Sequence, residues 1–155
     1  MKLDHLTAIV DDREGAAAAL ARLLGVEPER VDLPGMAIAT FAVAGVELHV
    51  NAPTGPGPVS DALATRGVHL HHVAFATEDL EREIQRVELL GFRVRGAPIE
   101  TAPGLREVFL DPATTAGVLV QLVERTQAVD AASLRGDPIA ALARSALPSD
   151  DPTTP

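Results

Sequence analysis

Apolar runs in this chain are broken by polar residues at places that recur. Leu3–Val10, LDHLTAIV, is a short, mainly apolar run that reads as a strand. Asp11 and Asp12 then offer capping oxygens for a helix over Arg13–Leu24, REGAAAALARLL, which Gly25 stops. The next stretch, VDLPGMAIATFAVAGVELHVNAP, carries a Pro-Gly turn, β-branched residues and an Ala-Gly break, and predicts two or three short strands. NAPTGPGP is a turn-rich connector, followed by a short helix near Ser60–Arg66 that ends at Gly67.

The pattern then starts again. LHHVAFATEDLEREIQRVELLGF repeats the order of LDHLTAIVDDREGAAAALARLLGV: strand, acidic cap, helix, Leu-Leu-Gly stop. Placing His72 on His5 puts Asp79 on Asp12 and Gly91 within one residue of Gly25. LPGMAIATF resembles APGLREVF, and GVELHV resembles GVLVQL. A repeat of about 67 residues is too long for a solenoid unit. It predicts an α+β fold in which two βαβββ modules, about 1–55 and 68–126, pair into one curved mixed sheet. Residues 127–155 read as an extension, with a short helix near Pro138–Leu147 and then a flexible Pro/Ser/Asp/Thr tail.

Composition narrows the function classes. At 155 residues and 46% hydrophobic content the chain can bury a core, yet aromatics are only 3%, so Leu, Val, Ile and Ala must build it. That scarcity, with a net charge of −9, disfavours nucleic acid and anionic membranes as partners. There is no cysteine, which excludes disulfides, thiolate metal sites and cysteine nucleophiles. Acids at Asp4 and Asp11 leave no signal-peptide core, and the expectation is a soluble cytoplasmic protein.

The repeat also carries the candidate chemistry. Residues two apart on a strand share a face, so His72 goes with Leu70 and Ala74, and His5 with Thr7 and Ile9. His69 and His71 are expected on the opposite face, as surface or supporting groups. His49 in GVELHV and Gln121 in GVLVQL are related in the same way as His5 and His72. A lone histidine on an apolar strand is more often a satisfied core residue than a ligand. Two repeat-related pairs favour shared ligation. Three imidazoles and an amide oxygen suit a divalent Co, Zn, Ni, Mn or Fe ion, which would keep its full charge as a Lewis acid.

LDHLTAIVDD, GVHLHHVAFATEDLE and DPATTAGVLVQLVE together resemble the vicinal oxygen chelate superfamily, which includes glyoxalases, bleomycin-resistance proteins and dioxygenases. Within it the chain is most similar to the methylmalonyl-CoA epimerases, over about Leu3 to Glu124. The resemblance implies metal ligands at His5, His49, His72 and Gln121, a homodimer, and a small carbonyl substrate such as an acyl thioester. It also exposes two departures. The epimerases' acid/base carboxylate falls on Ile38, and their metal-bound Glu falls on Gln121. Neither an alkyl group nor an amide takes a proton from carbon. Glu107, the repeat partner of Ile38, and Glu47, on the face of His49, are the replacement candidates, and each also reads as an ordinary solvated acid.

The resulting expectation is a metal-dependent epimerase, isomerase or lyase that stabilises an enolate beside a carbonyl. Two alternatives stay open: a small-molecule binding or self-resistance protein, and a dioxygenase-like enzyme using non-haem iron. The retained ligands and missing aromatics count against the first. The missing carboxylate counts against the second.

Overall fold

The computed structural model describes residues 1–127. The helix expected near Pro138–Leu147 and the tail beyond it lie outside the described residues. The first module contains β1 (Lys2–Ile9), α1 (Arg13–Leu24), β2 (Glu29–Leu33), β3 (Met36–Val43) and β4 (Val46–Pro53). A connecting helix, α2 (Pro58–Arg66), leads to the second module: β5 (His69–Thr77), α3 (Leu80–Leu89), β6 (Val94–Ala102), β7 (Leu105–Leu110) and β8 (Val120–Arg125). A single 3₁₀ turn at Pro112–Thr114 links the last two strands.

All eight strands form one sheet in the order β2-β3-β4-β1-β5-β8-β7-β6. The order is its own mirror image under the repeat: β1 and β5 meet antiparallel in the middle, each flanked by a parallel partner, β4 or β8. The predicted paired modules and curved mixed sheet are the architecture found.

Local signals account for the element ends. The Asp12 carboxylate accepts from Gly15 N at 3.0 Å and Asp79 from Arg82 N at 2.9 Å, so both long helices start on a side-chain cap. Gly25 closes α1 in the left-handed conformation at φ 67°. Ala44 and Gly45, at φ 50° and 81°, both take the left-handed backbone that a two-residue hairpin between β3 and β4 demands. α2 begins two residues earlier than Ser60, because Pro58 has the backbone angle of a first helical residue and needs no N–H partner there.

Each module buries its own apolar cluster between helix and sheet. Ala17 of α1 packs with Ala39, Phe41 and Val50, while Leu80 and Val87 of α3 pack with Val108, Leu110 and Leu122. With α1 and α3 covering one face, the other face curves around a cavity, and Val59 of α2 packs on that side with Ile9 and Met36. None of the described helices is long and apolar enough to cross a membrane.

Candidate metal centre

The cavity, about 250 Å³, is lined by residues of both modules. Strand pairing decides which side chains meet there. Thr7 of β1 lies opposite His72 on β5 and beside His49 on β4, and Gln121 of β8 lies beside Ala74 of β5. His5, Thr7, His49, His72, Gln121, Glu47 and Glu107 all face the cavity.

Two of the expected ligands converge. His5 Nε2 and His72 Nε2 are 3.2 Å apart, on rings crossing at 77°. At a metal–nitrogen distance of about 2.1 Å, ligands at right angles stand about 3.0 Å apart and tetrahedral ones about 3.4 Å. The pair therefore has the spacing of two nitrogens on one ion. Both imidazoles are held neutral, as ligands must be: burial pushes His5 below the ordinary histidine range. Burial, with His5, His71 and His49 nearby, pushes His72 well below it, against a smaller opposing contribution from Gln121. Gln121 Oε1 is buried and faces His72 but accepts no hydrogen bond of normal geometry. An orphaned amide oxygen beside two convergent imidazoles is a donor set that fits a divalent cation.

His49 is placed differently. Its ring stacks on His5 at 4.4 Å with planes 17° apart. Imidazole lone pairs lie in the ring plane, so two stacked rings cannot both point at one ion. His49 Nε2 instead meets Glu47 Oε2 at 2.9 Å. This bond, ahead of an opposing effect of partial burial, lowers the Glu47 carboxyl below the ordinary range.

Glu107 is the opposite case. Its side chain is buried, accepts from Thr101 Oγ1 at 2.8 Å, and is pushed up to about 7 by burial, which outweighs that bond. The repeat relation to Ile38 holds in the sheet: Thr40 pairs with His49 and Phe109 with Gln121, and Ile38 and Glu107 each sit two residues back along their strands. Both line the cavity, one as alkyl, the other as carboxyl.

His71 departs from strict alternation. Thr7 pairs with His72 and Ala8 with Leu70, so a register shift leaves His71 without a partner on β1. Such an extra residue turns its side chain away from the regular pleat. His71 therefore lines the cavity too, with its Nδ1 2.8 Å from His72 Nδ1. Burial pushes it down to about 4. His69 bonds Gly67 O through Nδ1 at 2.7 Å, outside the cavity lining.

Sequence reasoning passed over several residues of the site. Asp4 Oδ2 accepts from His5 Nδ1 at 2.8 Å and from Arg125 at 2.9 Å. Burial opposes ionisation of Asp4, but those two bonds outweigh it and hold the carboxyl far below its ordinary range. Thr7 Oγ1 and Asn51 Oδ1 are buried without partners on the cavity wall. Asp4 was visible in LDHL as the repeat counterpart of His71, but a regular strand would have sent it to the other face.

Among the described residues, one further group brings three possible ligand atoms within 4.8 Å of one another: Asp79, Glu81 and Glu124. Arg106 bridges Glu81 and Glu124, and Glu124 accepts from Leu80 N at 3.1 Å. These contacts tie the start of α3 to the sheet, which is reason enough for the cluster.

Comparison with known proteins agrees with the fold. The family described as the Glyoxalase/Bleomycin resistance protein/Dioxygenase superfamily matches residues 4–109, and the chain belongs to it. An uncharacterised protein of Bacillus subtilis, YqjC, is 30% identical over 128 residues, covering 79% of this chain and 91% of that one. An ethylmalonyl-CoA/methylmalonyl-CoA epimerase of Cereibacter sphaeroides is 29% identical over 128 residues, covering 78% and 96%. Among solved structures, a hypothetical protein of Bacillus halodurans aligns with a TM-score of 0.75 at 25% identity, over 83% of this chain and 97% of that one. Methylmalonyl-CoA epimerase of Mycobacterium tuberculosis aligns at 0.71 and 24%, over 81% and 89%.

Proposed function

We propose that this member of the glyoxalase superfamily is a metal-dependent enzyme that moves a proton on the carbon next to a carbonyl, an epimerase- or isomerase-type activity. The observation that carries the reading is Glu107: a buried carboxyl, raised to about 7, in the same cavity as His5, His72 and Gln121. A general base works best with a pKa near the working pH. Glu47 is the weaker candidate, because its carboxyl is half exposed and tied to His49.

His5 Nε2, His72 Nε2 and Gln121 Oε1 would hold the ion, and His49 would join them only after its ring leaves His5. A bound divalent ion supplies Lewis acidity toward a carbonyl oxygen. Glu107, ionised, takes the proton from carbon and returns it. Ile38 across the sheet offers no second base, so exchange of that proton with solvent is expected to outpace inversion of the carbon centre. The cavity is about 250 Å³, room for a small acyl group, while the bulk of a thioester's carrier would lie outside. The relatives named as alkylmalonyl-CoA epimerases make such thioesters the first substrates to try.

The test is solvent deuterium incorporation into methylmalonyl-CoA and ethylmalonyl-CoA by cobalt-loaded protein, followed by NMR. We expect exchange in the wild type and a loss of about 10²–10⁴-fold in Glu107→Gln. Unchanged exchange in the variant would overturn the role of Glu107.

A further inference from the structure

Both histidines that converge in the cavity are preceded by a residue that the central strand pair cannot accommodate. Leu3 pairs with Phe75 and His5 with Ala74, which leaves Asp4 without a partner on β5, as His71 is left without one on β1. The two irregularities occupy the same place in the two modules. Each extra residue turns toward its neighbour: Asp4 Oδ2 lies 2.8 Å from His5 Nδ1, and His71 Nδ1 lies 2.8 Å from His72 Nδ1. In both cases the contacted nitrogen is the one pointing away from the paired Nε2 atoms.

The first of these contacts has a definite polarity. Asp4 is an acceptor only, so His5 must donate from Nδ1, and its Nε2 is then left as a bare lone pair facing His72. Asp4 is itself fixed from behind. Arg125, the last residue of β8, donates to Asp4 Oδ2 at 2.9 Å and, through Nε, to Oδ1 at 3.4 Å. The side chains of His5 and Asp4 are 5% and 14% exposed, so water has little access to compete for the bond between them.

We infer that Asp4, clamped by Arg125, is a positioning residue that locks His5 into the tautomer presenting Nε2 to the cavity. The inference rests on the metal reading for its purpose but not for its geometry. A carboxylate behind a ligating imidazole fixes the ring and raises its donor strength. Arg125 makes this a tie between modules, since the end of the second one holds the orienting group of the first.

Two measurements separate the inference from the reading it serves. Long-range ¹⁵N–¹H correlation spectra of metal-free protein report each imidazole tautomer directly. We expect Nδ1–H for His5 in the wild type, a mixture of tautomers in Asp4→Ala, an intermediate result in Arg125→Gln, and retention in Asp4→Asn, which keeps an acceptor oxygen. An Nε2–H tautomer in the wild type, or an unchanged Nδ1–H in Asp4→Ala, would overturn the inference. Cobalt titration of the same folded proteins, read by calorimetry and the visible d–d band, tests the consequence. Asp4→Ala is expected to bind cobalt about 10–100-fold more weakly with a shifted band, and Asp4→Asn to recover part of the loss. A wild type that shows Nδ1–H yet binds no cobalt supports the tautomer lock and sinks the metal reading instead.

Discussion

The two modules have the same strand order and the same helix cap, and each contributes one histidine to the converging pair, yet they differ at the two places where chemistry is decided. At the position beside the outer wall of the cavity the first module has Ile38 and the second Glu107. Behind the histidine the first module has Asp4, a carboxylate clamped by Arg125, and the second has His71, a neutral imidazole. In the proposed reaction one half would thus supply the more strongly supported ligand and the other the base. A duplicated fold needs two copies of its frame, because each strand pair must close the sheet. It does not need two copies of each reactive group, since both halves open onto one cavity.

The largest test of this division of labour moves the base. In Glu107→Gln, adding Ile38→Glu should restore carbon-proton exchange by at least about 10-fold over the single variant, because the two positions are related by the repeat. Deuterium incorporation by NMR measures it, and no recovery would mean that the Glu107 environment, not just its carboxyl, is required.

The next effect is on stability. The Glu107 carboxyl sits at about 7 in the folded protein against 4.5 in an unfolded chain, so the folded state holds its proton more tightly. Below pH 4.5 both states are protonated and nothing is lost; between 4.5 and 7 stability falls as the pH rises. Glu107→Gln removes this, and its advantage over the wild type should grow from near zero at pH 4 to at most about 3 kcal/mol at pH 8. Urea unfolding at a series of pH values would reveal a flat difference if the carboxyl were not buried.

A smaller contrast lies behind the histidines. His71→Ala should weaken cobalt binding less than Asp4→Ala, by under about 10-fold, because a neutral partner adds less donor strength than a carboxylate. Equal losses would mean that ring orientation, not charge, is what both partners supply. Smallest of all is the difference between the caps. Asp12→Ala should cost about 1 kcal/mol, and Asp79→Ala less, since removing Asp79 also relieves repulsion with Glu81 and Glu124. Thermal melts of the two variants decide it.

Much of this was legible in order along the chain. Helix α1 spans Arg13–Leu24 as expected because Asp12 and Gly25 act on neighbours a few residues away. The Pro-Gly turns at Gly35 and Gly104, with φ of 80° and 72°, are likewise signalled by adjacent residues. The repeat itself required only that two stretches of sequence be compared, and it singled out His5, His72, His49, Gln121 and Glu107. All five face the cavity.

What the sequence by itself determined is the frame and the inventory: two modules, one sheet, a histidine pair and a carboxyl opposite an alkyl group. Tertiary structure decided which of those groups point at one another and in what charge state. The stacking of His49 on His5 depends on how β4 sits beside β1. The raised Glu107 depends on the surfaces that bury it. Asp4 and His71 reach their histidines only because the central strands slip register twice. A strand's alternation is a local rule, fixed by backbone geometry. A register shift between β1 and β5 arises from how two distant stretches fit, and no residue pattern within either one records it.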